Sequence, residues 1–203
     1  MNLINERSTL KSRIRQIVRW GQRFFLIVGL LAVGYVGFTL LDARVYQASA
    51  KRALESQIQS IKDSKVIQPA PVVRTGDILG RMDIPRLGVS VAVLEGTNSR
   101  MLRLGAGHIR GTALPGAPGN SAIAAHRDTF FRALKDVRPN DEIQLQTLTG
   151  LFHYEVDWVK VVSPDDISVL TPSTGSTLTL VTCYPFYFVG SAPERFVVRA
   201  HQN

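Results

Sequence analysis

The chain has 203 residues, 45% of them apolar and 20% charged, which suits one packed domain plus an appendage and excludes a disordered chain. Its formal charge of +8 is concentrated at one end: residues 1–23 hold Arg7, Lys11, Arg13, Arg15, Arg19 and Arg23 against Glu6 alone. No broad nucleic-acid-binding face is therefore indicated, and a single cysteine excludes both an intramolecular disulfide and a cysteine-based metal cage.

After the basic segment 1–23, Phe24 to Leu41 reads FFLIVGLLAVGYVGFTLL, 18 residues without a charge. A helix of that length, at about 1.5 Å per residue, nearly crosses a hydrocarbon layer of about 30 Å. No helix in water needs to be apolar on every face. Trp20 and Tyr46 stand where interfacial aromatics are expected. The basic flank predicts a cytoplasmic N-terminus, a transmembrane signal-anchor helix over 24–41 and residues 42–203 outside the cell membrane. Ala48-Ser49-Ala50 resembles a signal-peptide cleavage site, but the apolar stretch is longer than a usual signal core and favours an uncleaved anchor.

Residues 43–63 carry Leu54, Ile58 and Ile61 at helical spacing. Segment 42–75 is thus read as a helical stalk and linker, broken at Pro69-Ala70-Pro71, with a domain boundary near Arg74 to Gly76. Within 76–203 the texture changes to short apolar or alternating runs divided by turn residues: Ile78–Ile84, Val89–Leu94, Ser121–Ala125, Glu142–Leu148, Phe152–Val162, Thr177–Thr182 and Phe196–Ala200. Their β-branched and aromatic content predicts an all-β sandwich or barrel. One short helix is expected over Thr129–Lys135, capped by Asp128.

Three residues stand out chemically. Cys183 closes the run Thr177–Thr182; a thiolate attacks carbonyls well but needs a base or a cation to form near neutral pH. His126 follows the apolar run Ile123-Ala124-Ala125, and Arg195 opens the last one. A guanidinium, always charged, could stabilise an oxyanion. The bland alternatives are a buried apolar thiol, a hydrogen-bonded loop histidine and an Arg195–Glu194 surface pair. Among the other histidines, His153 lies on an alternating strand and His201 in the terminal segment, which leaves His108 as the rival.

Taken together these residues resemble the sortase family. Thr179-Leu180-Val181-Thr182-Cys183 is similar to the TLxTC signature, with Arg195 twelve residues later, and Ala124-Ala125-His126-Arg127-Asp128 is similar to the stretch carrying the family's histidine. Ile84-Pro85, Val93-Leu94-Glu95-Gly96-Thr97 and Gly111-Thr112-Ala113-Leu114-Pro115-Gly116 extend the likeness over most of Gly76 to Ala200. Thr182-Cys183-Tyr184-Pro185-Phe186 with Ala192-Pro193-Glu194-Arg195 looks most like class D; Ala125 before the histidine also resembles class C. Class C enzymes usually carry an Asp-Pro-aromatic lid and a C-terminal span, and neither is expected here.

The resemblance implies a closed eight-stranded β-barrel with short helices over 76–203. It implies a membrane-anchored cysteine transpeptidase that cleaves an LPxTG-like sorting signal through a thioacyl enzyme and joins the exported protein to an amine acceptor on the cell wall or another protein. Cys183 would be the nucleophile, His126 the acid/base and Arg195 the oxyanion cation, with Thr182 supporting the oxyanion or substrate. The partners implied are sorting-signal proteins, the amine acceptor, and membrane lipid around residues 24–41. No cofactor and no metal are expected; Asp165, Asp166 and Glu95 read as solvated loop acids. Two other functions remain: a cysteine peptidase that releases its product to water, and a non-enzymatic membrane-tethered barrel that binds peptides.

Overall fold

The computed structural model describes residues 3–63, 73–188 and 190–203. The linker expected at Pro69-Ala70-Pro71 lies outside the described residues. The chain divides into two units, Met1–Arg44 and Val45–Asn203. A single α-helix, α1 (Leu3–Asp63), runs from the first into the second. Among the described residues it is the one helix long and apolar enough to cross a membrane, and Phe25, Leu26, Leu30, Leu31, Val33 and Phe38 on it are all exposed.

The second unit is a closed barrel of eight strands: β1 (Ile78–Ile84), β2 (Val89–Glu95), β3 (Ala106–His108), β4 (Asn120–Ala124), β5 (Glu142–Thr147), β6 (Leu151–Val162), β7 (Thr177–Tyr184) and β8 (Glu194–Gln202). Their order around the barrel is β1-β2-β3-β4-β7-β8-β6-β5, closing on β1. The β2–β3 and β4–β7 pairs are parallel and the rest antiparallel. Met82, Ile84, Val91, Val93, Ile123, Ile143, Leu145, Tyr154, Leu178, Leu180 and Val198 fill the interior. Each stands at an alternate strand position, so the period of two seen in the sequence is the barrel's inside–outside alternation.

Seven strands match runs visible in the sequence. The eighth, β3, has three residues and no pattern long enough to read; α2 (Ser99–Leu104) before it also went unseen. The expected helix over Thr129–Lys135 is instead a 3-10 helix at Arg132–Asp136, which has Phe131 at its N-cap and no side-chain cap, so Asp128 does not cap it. Phe131 and Leu134 are fully buried, and packing rather than capping holds this turn.

From Val45 onward, α1 belongs with the barrel. The Ala92 N–H donates to Gln47 Oε1 at 2.8 Å, and Gln47 Nε2 donates to the Leu104 carbonyl. Ala50 and Leu54 are buried, and Tyr46 packs with Leu94, Met101 and Leu104. Gly105 permits this approach: a Cβ there would sit 2.5 Å from Ala92 O and 3.1 Å from Gln47 Nε2.

Candidate active site

The site begins with strand parity. In β7, Leu178 and Leu180 point into the core, so Val181 and Cys183 face outward; in β8, Phe196, Val198 and Ala200 point inward and Arg195 outward. Cys183 is directly opposite Arg195 in the β7–β8 register. On the other side of β7, the parallel register with β4 pairs Ile123 with Leu180 and Ala124 with Val181. The chain stays alongside for another residue, because Ala125 N–H donates to Val181 O at 3.3 Å. Carrying the register on by two residues brings His126 to the level of Cys183. Three adjacent chain segments, about 4.8 Å apart, therefore bring a histidine, a cysteine and an arginine to one level of the outer face.

The small side chain sits between the two long ones. Cys183 is partly exposed and His126 exposed, and among the described residues neither has a side-chain hydrogen bond. Arg195 is partly buried. Its Nη1 donates to Ala192 O at 3.2 Å and to Glu194 O at 2.9 Å, both backbone carbonyls. The surface pair with the Glu194 carboxylate is thus not formed. Nε and Nη2 have no acceptor among the described residues and remain able to donate.

Thr182, expected beside an oxyanion, shares the inward parity of Leu180 and is 2% exposed. Its hydroxyl donates its one proton to Ala125 O at 2.7 Å. That contact ties β7 to the residue preceding His126. Behind the site, Tyr184 stacks on Phe196 with ring centroids 6.1 Å apart, and Phe186 meets Phe196 edge-on at 5.1 Å. These rings close the barrel end beneath Cys183.

The other three histidines are all engaged. His153 Nδ1 lies 2.7 Å from Glu142 and His201 Nδ1 2.7 Å from Asp157. His108, the rival candidate, is 2% exposed, with Nδ1 at 2.7 Å from Glu95 Oε2 and Nε2 at 2.9 Å from Ala113 O. Arg110 Nε reaches the other Glu95 oxygen at 3.3 Å, so Glu95 is no solvated acid. Asp166 accepts from the Ser168 hydroxyl at 2.5 Å and from Ser168 N–H at 3.0 Å at the head of a 3-10 helix, Ile167–Leu170, and these bonds, the hydroxyl's first, hold its carboxyl below the usual range. Among the described residues no group of three or more His, Cys, Asp and Glu side chains is arranged to hold a metal.

The outer surface beside Cys183 carries the small, partly exposed residues Ala124 and Val181. The connection from β6 to β7 borders it, tied down by Asn120 Nδ2 to Val169 O and Thr171 O at 3.1 Å each and by Arg199 Nη2 to Val169 O at 2.8 Å. The sequence reading missed these ties, and it missed Arg127, whose guanidinium grips the β7–β8 connection. Nothing in sequence spacing points to either, because the acceptors are backbone carbonyls more than 25 residues away.

Comparison with known proteins finds relatives of the same fold. The sortase domain family model matches residues 82–203. Sortase D of Bacillus subtilis is 31% identical over 185 residues, covering 86% of this chain and 93% of that protein. A Clostridium perfringens sortase D5 transpeptidase structure superposes with a TM-score of 0.64 at 28% identity, covering 80% of this chain and 98% of that one. Clostridium perfringens sortase C, solved with the C-terminal cell wall sorting motif, gives a TM-score of 0.60 at 27% identity over 76% of this chain and 87% of that one.

Proposed function

This chain belongs to the sortase family of cysteine transpeptidases, and from that premise we propose that Cys183, His126 and Arg195 carry its reaction, on exported proteins ending in an LPxTG-like signal. What supports the assignment is Cys183 opposite Arg195 in the β7–β8 register and His126 two residues past the end of β4, which runs parallel beside β7, joined to their unused hydrogen-bonding capacity among the described residues.

In the first half-reaction the Cys183 thiolate attacks the carbonyl carbon before the scissile bond, and the carbonyl electrons move onto oxygen. Nε and Nη2 of Arg195 donate to that oxyanion, a charge that exists only in and around the transition state. Collapse breaks the C–N bond, and His126 gives its proton to the departing amine, leaving a thioacyl enzyme. In the second half an acceptor amine loses its proton to His126 and attacks the thioester, and Cys183 leaves as thiolate. Thr182 serves as a positioning residue, holding Ala125 and hence the turn that presents His126. The floor of small residues beside Cys183 suits an extended peptide backbone.

The exposed apolar face of α1 over residues 24–41 supports an anchor in the cell membrane, and the basic flank supports a cytoplasmic N-terminus. Burial of Ala50 against the barrel supports an uncleaved chain at Ala48-Ser49-Ala50.

The test uses the full chain in detergent micelles with LPxTG-like peptides, with and without triglycine, read by mass spectrometry beside Cys183→Ala. Ligated product and a thioacyl adduct that both vanish in the variant are the expected result. Cleavage unaffected by the amine would replace transpeptidation with hydrolysis. Turnover that survives in Cys183→Ala would end the assignment.

A further inference from the structure

We propose that Arg127 is a positioning residue that locks the turn carrying His126 to the β7–β8 connection, so that the base, the nucleophile strand and the oxyanion cation move as one body; this rests on the active-site reading above. Arg127 follows His126 directly in the chain. Its Nη1 donates to Pro185 O at 3.0 Å, and its Nη2 to Phe188 O at 2.8 Å and Gly190 O at 3.0 Å. The guanidinium carbon lies 5.9 Å from the centroid of the Phe188 ring.

The connection it grips starts two residues after Cys183 and delivers Arg195. Arg195 in turn donates to the carbonyls of Ala192 and Glu194. Two guanidinium groups thus take the carbonyls of residues 185, 188, 190, 192 and 194 in one loop. Between Pro185 and Gly190 the only backbone hydrogen bond of the turn type among the described residues runs from Phe188 N–H to Pro185 O, at 3.3 Å. The arginine therefore supplies donors that secondary structure does not.

The His126 turn is equally short of ties. Thr182 holds it from the β7 side through Ala125 O, and Phe131 N–H donates to His126 O at 3.1 Å. Arg127 adds the tie to the β7–β8 connection. A planar fork of five donors can span three carbonyls; a lysine ammonium is a compact point and cannot. With Arg127 removed, the turn and the loop separate, and the distance between His126 and Cys183 becomes a distribution. Misplacement of that kind acts on turnover more than on binding, because the peptide's floor is built on β4 and β7 and does not involve Arg127.

The experiment compares wild type, Arg127→Met and Arg127→Lys as full chains in micelles. The rate of Cys183 alkylation by iodoacetamide is followed from acid to alkaline pH, together with kcat, KM and the thermal midpoint. Alkylation needs no peptide, so it reads the pair independently of the sorting motif. An imidazole held at a thiol changes that thiol's alkylation profile, so the profile reads whether His126 is held at Cys183. In both variants the profile is expected to move toward that of an isolated thiol. Turnover is expected to fall on the order of 10- to 100-fold, with KM held within about twofold. Arg127→Lys keeps the charge and the aliphatic stem, and decides the matter if the methionine variant fails to fold.

Wild-type alkylation profiles and kcat in the folded lysine variant would overturn the proposal, as would a loss confined to the thermal midpoint. A wild-type profile that is already that of an isolated thiol would overturn the active-site reading and this proposal with it. Profiles that are equal in wild type and variants, yet depart from an isolated thiol, would overturn the proposal alone.

Discussion

His108 ends β3 and His126 follows the end of the neighbouring β4, and the contrast between their surroundings separates a filled network from an open one in this barrel. His108 is buried with an oxygen at each ring nitrogen, Glu95 at 2.7 Å and Ala113 O at 2.9 Å, so neither nitrogen is left open. Its Glu95 partner is held by Arg110 as well. Every donor and acceptor there is spent. His126, Cys183 and Arg195 instead keep free valences, at the end of strands whose inward residues are fully packed. A residue that must change partners during a reaction cannot have them all filled beforehand, and the rigid wall behind it bears the cost of holding it open.

The largest expected effect follows from exchanging the two histidines' fates. His126→Ala should lower turnover by about 10³-fold and leave the thermal midpoint within about 1 °C of wild type. His108→Ala should leave Glu95 buried beside Arg110 alone. That costs about 3 kcal/mol or more, or roughly a 10 °C fall in midpoint, while turnover per folded molecule is kept. Calorimetry and single-turnover kinetics on the same samples check both. If His108→Ala abolished turnover in folded protein, or His126→Ala destabilised it more, the contrast would be lost.

The next effect concerns cations. Arg195 has donors left over, whereas Arg110 and Arg86 are paired with carboxylates. Arg195→Lys keeps charge but loses the fork that bonds two loop carbonyls while facing the groove. Turnover should drop on the order of 10²-fold while Cys183 still forms a thioacyl adduct slowly. An unchanged rate would mean the oxyanion is met elsewhere, by backbone N–H groups.

This contrast also marks what the sequence could tell. Period-two alternation in Ile78–Ile84 or Phe152–Val162 is dictated by burial on one face, so seven strands were legible. The three residues of β3 were not, because Gly107 and two neighbours carry no period. Cys183, His126 and Arg195 stood out as candidates because a nucleophile, a base and a cation each call for a particular residue type, and the family resemblance chose them over the bland alternatives. Their meeting was not, since it depends on the parallel β4–β7 register, which no local pattern encodes. Glu95 misread as a solvated acid and Arg127 given no role share one cause: their partners are distant in sequence, and in the case of Arg127 are main-chain oxygens with no side-chain signature.

The smallest effect belongs to a second filled network, on the side of His108 in this contrast. Asp141, whose side chain is 7% exposed, accepts from Arg86 through both Nε and Nη2 and from Arg138 N–H at 2.7 Å. The Arg86 hydrogen bonds hold its carboxyl below the usual carboxylate range, against the opposing pull of burial. A carboxyl whose pKa is depressed on folding contributes stability above its unfolded value of about 3.9, and that contribution is lost as the pH falls through the lower folded value. Asp141→Asn should therefore sit at a lower thermal midpoint than wild type at pH 7, and the gap should close as both are acidified below about pH 4. Turnover at neutral pH should be unchanged, since Arg86 and Asp141 join the turn after β1 to the start of β5 and touch none of the reacting residues. A gap that stayed constant down to pH 2 would show that Asp141 contributes shape rather than charge. It would then differ from Glu95, whose replacement by Gln should leave both Arg110 and His108 without their carboxylate partner.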